Sequence, residues 1–270
     1  MTDNSKCLDC QSMANIIAHE KHAHGLCDGF PTILFYAREM KNLAEEIRLC
    51  SKEHLIELGD IEWKTFADSW PNLFIRNVEQ IRNSHVLFLA SLHNPQTIFE
   101  QISVLYHLPK YLCRSLKVLL PYFPTGTMER IQIQGEIATA YSLAQMLSAI
   151  PLTRTGPCEV VIFDIHALQN QFYFSPNILV RLESTVDLLL KELKSQENEN
   201  YAIAFPDDGA HKRFGTLFNG TNYPIVICSK IRDGDKRITT IKEGLQNFPI
   251  KSKRNFSFRS SKRLSLYDSR

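Results

Sequence analysis

The chain of 270 residues has no apolar run approaching the roughly 18 residues of a membrane-spanning helix. Its opening, Met1-Thr2-Asp3-Asn4-Ser5, has neither the positive nor the apolar stretch of a secretory signal. A cytoplasmic location with no membrane partner is therefore expected. Also missing are a phosphate loop of the GxxxxGK[ST] kind, a GxGxxG dinucleotide turn and a GxSxG elbow. No short motif by itself announces a nucleotide enzyme or a hydrolase. Surplus charge is scarce too: the net value is +2, but residues 251–270 carry seven Lys and Arg against one acid, Asp268. Removing that +6 leaves the remainder at −4, which gives no reason to expect a nucleic-acid partner for the body of the protein.

With 44% hydrophobic and 22% charged residues, the chain has the composition of a soluble globular protein and is long enough for two domains. Seven cysteines, an odd number scattered through expected strands and helices, argue for free thiols over a disulfide framework. Cys7, Cys10, His19, His22, His24 and Cys27 follow no zinc-finger spacing and have few apolar neighbours. Residues 1–30 read as a disordered leader without a structural metal.

From Thr32 onward strand and helix patterns alternate. Ile33–Tyr36, Val86–Ala90, Leu116–Tyr122 and the run ending in Phe163 read as buried strands. Between them, Met40, Leu43, Ala44 and Ile47 form one helical stripe and Ile98, Ile102, Leu105 and Tyr106 another, and residues 135–150 are an Ala-rich helix. Such alternation predicts an α/β fold with mostly parallel sheets flanked by helices. Ser175-Pro176-Asn177 suits a helix start, followed by the stripe Leu182, Val186, Leu189, Leu190 and Leu193. The first domain is thus expected over 31–176 and the second over 177–244, with strands at Tyr201–Phe205, Ile225–Cys228 and Arg237–Ile241. Residues 245–270, rich in Ser, Lys and Arg and without period, read as a disordered tail.

Four clusters fall where strands should end, the place where α/β sheets hold ligands. Asp164 and His166 are metal-competent side chains two residues apart, on one side of an extended chain, though an Asp that caps the next turn and a satisfied buried His look the same. Phe123-Pro124-Thr125-Gly126-Thr127-Met128-Glu129-Arg130 is a turn with hydroxyls and a cation, able to hold a nucleotide phosphate or merely to connect strand and helix. Phe205-Pro206-Asp207-Asp208-Gly209-Ala210-His211-Lys212-Arg213 sets hard oxygen ligands beside cations, as a magnesium–phosphate site needs, though an acidic turn capping a helix looks the same. Lys230-Ile231-Arg232, directly after a strand, could flank a phosphoryl group or be a solvated pair.

In order, FPTGT, FDIHALQ with QFYF, FPDDG, Lys-x-Arg and IKEG resemble the motifs of ribose-phosphate pyrophosphokinase, and FDIHALQ in particular is similar to the divergent plant-type isozymes. The resemblance covers about Ile33 to Gly244. It implies two phosphoribosyltransferase-like domains, the second incomplete, and transfer of diphosphate from ATP to ribose 5-phosphate, giving 5-phosphoribosyl diphosphate and AMP. It implies that His166, with Asp164 orienting the strand end, holds Mg²⁺ on the ATP phosphates. Asp207 and Asp208 would serve the ribose phosphate, with Asp207 also near a second metal, and Lys230 and Arg232 would act on the transferred group. Where the family's loop carries an arginine and a glutamine on ATP, this chain has Thr127 and Met128, so Arg130 is the candidate substitute. Residues 245–270 show no counterpart of the family's sugar-phosphate loop. Little or no turnover is then expected of the chain as written, and a non-catalytic interaction subunit or an inactive truncated product stays open beside the enzyme. A homo-oligomer, or assembly with full-length homologues, is the implied quaternary state.

Overall fold

The computed structural model describes residues 29–51, 55–195, 201–233, 236–244, 255–257 and 265–267, with the backbone alone at 230–233, 236–241, 255–257 and 265–267. The Cys/His cluster of residues 7–27 lies outside the described residues, as does most of the expected tail. Two units divide at Leu188/Leu189.

In chain order the first unit runs β1 (Thr32–Tyr36), α1 (Lys41–Cys50), β2 (Ile56–Leu58), β3 (Ile61–Thr65), β4 (Pro71–Ile75), β5 (His85–Leu89), α2 (Pro95–His107), β6 (Ser115–Leu120), α3 (Thr139–Ser148), β7 (Cys158–Phe163) and β8 (Ile178–Glu183). Helix α4 (Val186–Ser195) follows. Six of these strands form one sheet in the order β2-β1-β5-β6-β7-β8, every pair parallel. The central strands are apolar on both sides because both sides are covered, which is why β5 reads as a continuous apolar run. Phe35, Phe88, Val118, Val160 and Ile162 are buried on one face, Leu34, Leu87, Leu119 and Val161 on the other. Each fully buried Leu or Phe contributes about 1.5–3 kcal/mol of transfer free energy.

Local signals agree with this packing where it matters for the site. Ala44 and Ile47 turn the stripe of α1 onto the second face. Helix α2 starts in a capping box: the side chain of Asn94 accepts from the N–H of Thr97 at 2.9 Å, and Thr97 Oγ1 accepts from the N–H of Asn94 at 3.3 Å. Pro95 sits at the first helical position, where its missing N–H costs nothing. The Ala-rich helix begins at Thr139, four residues later than its composition suggests. Strands β3 and β4 form a separate antiparallel hairpin.

Three expectations fail here. Ser175–Asn177 does not begin a helix but leads into β8, which pairs with β7 from Cys158↔Ile178 to Phe163↔Glu183. The first unit consequently extends through Leu188, past the expected boundary at residue 176. Cys50 is disulfide-bonded, so free thiols hold only at Cys113, Cys158 and Cys228 among the described residues.

The second unit contains β9 (Ile203–Phe205), α5 (Asp208–Phe214), β10 (Ile225–Asp233), β11 (Lys236–Glu243), β12 (Asn255–Ser257) and β13 (Ser265–Tyr267), ordered β11-β10-β9-β12-β13. The pairs β9–β10 and β9–β12 are parallel, and β10–β11 and β12–β13 antiparallel. Phe205, Phe214 and Phe218 are its most deeply buried side chains among the described residues, with the rings of Phe205 and Phe218 edge-on at 5.7 Å. Strands β12 and β13 lie in the stretch expected to be wholly disordered. Among the described residues no helix is long and apolar enough to cross a membrane.

Candidate functional site

Strands β6 and β7 are neighbours in a parallel sheet, so the segments that leave their carboxyl ends start side by side. After β6 the chain enters Phe123–Arg130. Met128 N–H donates to Thr125 O at 2.7 Å, closing a turn, and Thr125 takes φ +60. A β-branched residue in that left-handed region costs on the order of 1–3 kcal/mol and persists only where surroundings impose it. Gly126 is buried beneath the turn: a Cβ there would sit 3.2 Å from Phe123 O and 3.6 Å from the Cβ of His166. The loop therefore lies directly against the segment that leaves β7.

After β7, Asp164 takes φ +44 and turns the chain. Its carboxylate accepts from Ser184 Oγ at 2.8 Å, from the Thr185 N–H at 3.2 Å and from the Thr185 hydroxyl. These donors stand at the end of β8, so Asp164 ties two strand ends together and directs its oxygens to protein donors. His166, two residues on, is exposed. It lines a pocket of about 520 Å³ together with Thr127, Met128, Glu129, Arg130, Gln132, Glu136 and Ile137.

The structure thus gathers His166, Thr127 and Arg130 in one pocket and places Asp164 behind it. Arg130 is exposed, with Nε 3.1 Å from Oε1 of Glu129. Glu129 itself is buried, its side chain 5% exposed, and its Oε2 has no hydrogen-bond partner. Sequence reasoning passed over Glu129, and over Glu136, whose carboxylate accepts from the N–H of Gln132 at 2.7 Å and shapes the loop. A glutamate between Met128 and Arg130 carries no signal of burial.

In the second unit Asp207 caps α5, with Oδ1 accepting from the N–H of Ala210 at 2.8 Å. Asp208 pairs with Lys242 at 3.1 Å. Lys230 and Arg232 do not follow the strand but lie inside it: β10 continues to Asp233, with Lys230 opposite Thr239 and Arg232 opposite Arg237 on β11. A register shift at Ile227/Cys228 separates this outer hairpin from the part of β10 that pairs with β9.

A parallel sheet with a pocket outside the carboxyl ends of adjacent strands defines the class, an α/β protein with its ligand pocket at the strand ends, and comparison with known proteins specifies it. Residues 32–150 match the N-terminal domain of ribose phosphate pyrophosphokinase. The chain is 51% identical over 212 residues to the mitochondrial ribose-phosphate pyrophosphokinase 3 of Spinacia oleracea, covering 78% of this chain and 51% of the relative. It is 50% identical over 212 residues to ribose-phosphate pyrophosphokinase 4 of Oryza sativa subsp. japonica, covering 78% of this chain and 64% of that one. The fold matches the phosphoribosylpyrophosphate synthetase of Mycobacterium smegmatis with a TM-score of 0.62 at 19% identity, over 84% of this chain and 70% of that one. The chain is thus similar to ribose-phosphate pyrophosphokinases, and it spans about half to two thirds of the length of these relatives.

Proposed function

We propose that the protein acts in diphosphoryl transfer from ATP to ribose 5-phosphate, with the pocket beside His166 as its nucleotide side. The observation that carries this reading is the single pocket shared by His166 and residues 127–130, at the carboxyl ends of two adjacent parallel strands.

A divalent cation fits the donors present in one particular way. Among the described residues no three His, Cys, Asp or Glu side chains stand together as a metal cage. Mg²⁺ seldom asks for one, since it keeps several waters and leans on one or two protein groups plus substrate phosphates. His166 at the pocket wall and the unpartnered buried oxygen of Glu129 suit that mode, and Asp164 supports it indirectly by fixing the backbone two residues before His166. When bound, the ion would supply charge neutralisation on the phosphate chain.

The chain's own residues have little covalent chemistry to perform, because phosphoryl transfer is chiefly positioning and electrostatic stabilisation. Thr127 and Arg130 would hold nucleotide phosphate oxygens, Arg130 from a surface position that Glu129 already restrains. Asp207 and Asp208 would receive the ribose hydroxyls, and Lys230 and Arg232 would neutralise the charge that grows on the migrating group.

The test is single turnover with protein in excess over Mg-ATP, so that even slow transfer is read by ³¹P NMR. AMP and a sugar diphosphate should appear in equal amounts, and only when ribose 5-phosphate is present. ATP left intact, or cleaved to ADP regardless of the sugar, would contradict the proposal.

A further inference from the structure

The pocket has two walls that belong to different loops, residues 123–130 after β6 and the segment from His166 after β7. A ligand that touches both requires their separation to be fixed. Backbone ladders cannot fix it, since both chains have left the sheet.

One short 3₁₀ helix, Leu168–Tyr173, reaches across. Asn170 is fully buried, and its Nδ2 donates to the carbonyl of Gly126 at 3.1 Å. The Tyr173 hydroxyl donates to the carbonyl of Glu129. The two accepting carbonyls bracket Thr127 and Met128, so both ends of the pocket-lining stretch are held from the same helix. That helix is itself braced: Gln145 Nε2, on α3, donates to Tyr173 O at 2.7 Å, and the Tyr141 and Tyr173 rings meet edge-on at 5.8 Å. Neither Asn170 nor Tyr173 lines the pocket.

We infer that Asn170 and Tyr173 are positioning residues, which set the distance between His166 and the Thr127–Arg130 wall and thereby the affinity of the pocket for a nucleotide. The inference rests on the nucleotide reading proposed above for what the pocket holds, but the brace is a property of the free protein. Two neutral hydrogen bonds are modest in energy, and their value lies in removing the loop's freedom before a ligand arrives.

Tyr173→Phe removes one hydroxyl and keeps the ring against Tyr141, so it should fold. Asn170→Ser, which shortens the donor, is the second variant. Hydrogen exchange of the full chain should rise about tenfold for amides of residues 126–130 while the amides of β5, β6 and β7 keep their protection. Mg-ATP affinity by calorimetry should fall about tenfold in each variant, the effect of roughly one hydrogen bond. Unchanged loop exchange in Tyr173→Phe, or a rise spread evenly over the whole unit, would overturn the inference, the second outcome making Tyr173 a stability residue only. Loop exchange that rises without any change in Mg-ATP affinity would also overturn it. If the unaltered protein binds no Mg-ATP, the nucleotide reading fails by that result, and the brace is then decided by loop exchange alone.

Discussion

The carboxylate of Asp164 accepts from both the backbone N–H and the hydroxyl of Thr185, joining the end of β7 to the end of β8. The same residue bends the chain with φ +44, a conformation that Asp and Asn tolerate better than other non-glycine residues. Asp164→Ala should cost about 2 kcal/mol, the scale of charge-assisted hydrogen bonds, and Asp164→Asn about half of that. Urea unfolding measures both. Equal, near-zero losses would show that these bonds contribute nothing and would return Asp164 to consideration as a metal ligand.

Gly244 ends β11 with φ +104, and a Cβ there would lie 2.2 Å from the carbonyl oxygen of Ile225 on β10. Gly220, in the same unit, has φ +81 with open space around it. Gly244→Ala should therefore cost about 3 kcal/mol or more, against about 1 kcal/mol for Gly220→Ala, which pays only for its backbone conformation. Equal costs by denaturation would mean that β10 and β11 yield without loss.

Burial pushes the Cys113 thiol up to about 12 and raises the fully buried Cys158 further. Only the unfolded chain ionises these thiols near their ordinary value of 9, so it binds fewer protons there than the folded chain. Their contribution to stability is accordingly complete below about pH 9 and is lost as pH rises toward 12. Iodoacetamide at pH 8 should spare Cys113 and Cys158 until urea is added. Fast labelling of either in the folded protein would contradict their burial.

In a chain that carries the family's full C-terminal part, Lys230→Ala should slow AMP release on the order of a hundredfold, about 3 kcal/mol, while Mg-ATP affinity stays within about twofold, because a cation aimed at developing charge acts mainly in the transition state. Single-turnover rates and calorimetry separate the two effects. A hundredfold loss of affinity at unchanged rate would make Lys230 a ground-state phosphate contact.

The parallel core was legible because β1, β5, β6 and β7 are buried on both faces and so read as apolar runs. Strand β8 was not. Ile178-Leu-Val-Arg-Leu-Glu carries charge toward a half-buried face, follows a proline that equally suits a helix, and becomes a strand by pairing with β7. Strands β12 and β13, three residues each, are too short to show a period. At the site, the strand-end clusters marked Thr127, Arg130 and His166, because ligand-binding turns have recognisable composition. Asn170 and Tyr173 were silent, since each acts on a backbone carbonyl 44 residues earlier and side-chain pattern does not encode such partners.

The central claim is that the pocket between residues 127–137 and His166 holds a metal–nucleotide complex. Calorimetric titration of the full chain with Mg-ATP, repeated with EDTA and with His166→Ala, tests it most directly. His166 is exposed, so its replacement should leave thermal unfolding unchanged while weakening binding at least about tenfold, and EDTA should abolish the binding of the unaltered protein. Binding that survives both EDTA and His166→Ala, or no binding at millimolar ATP, would contradict the account.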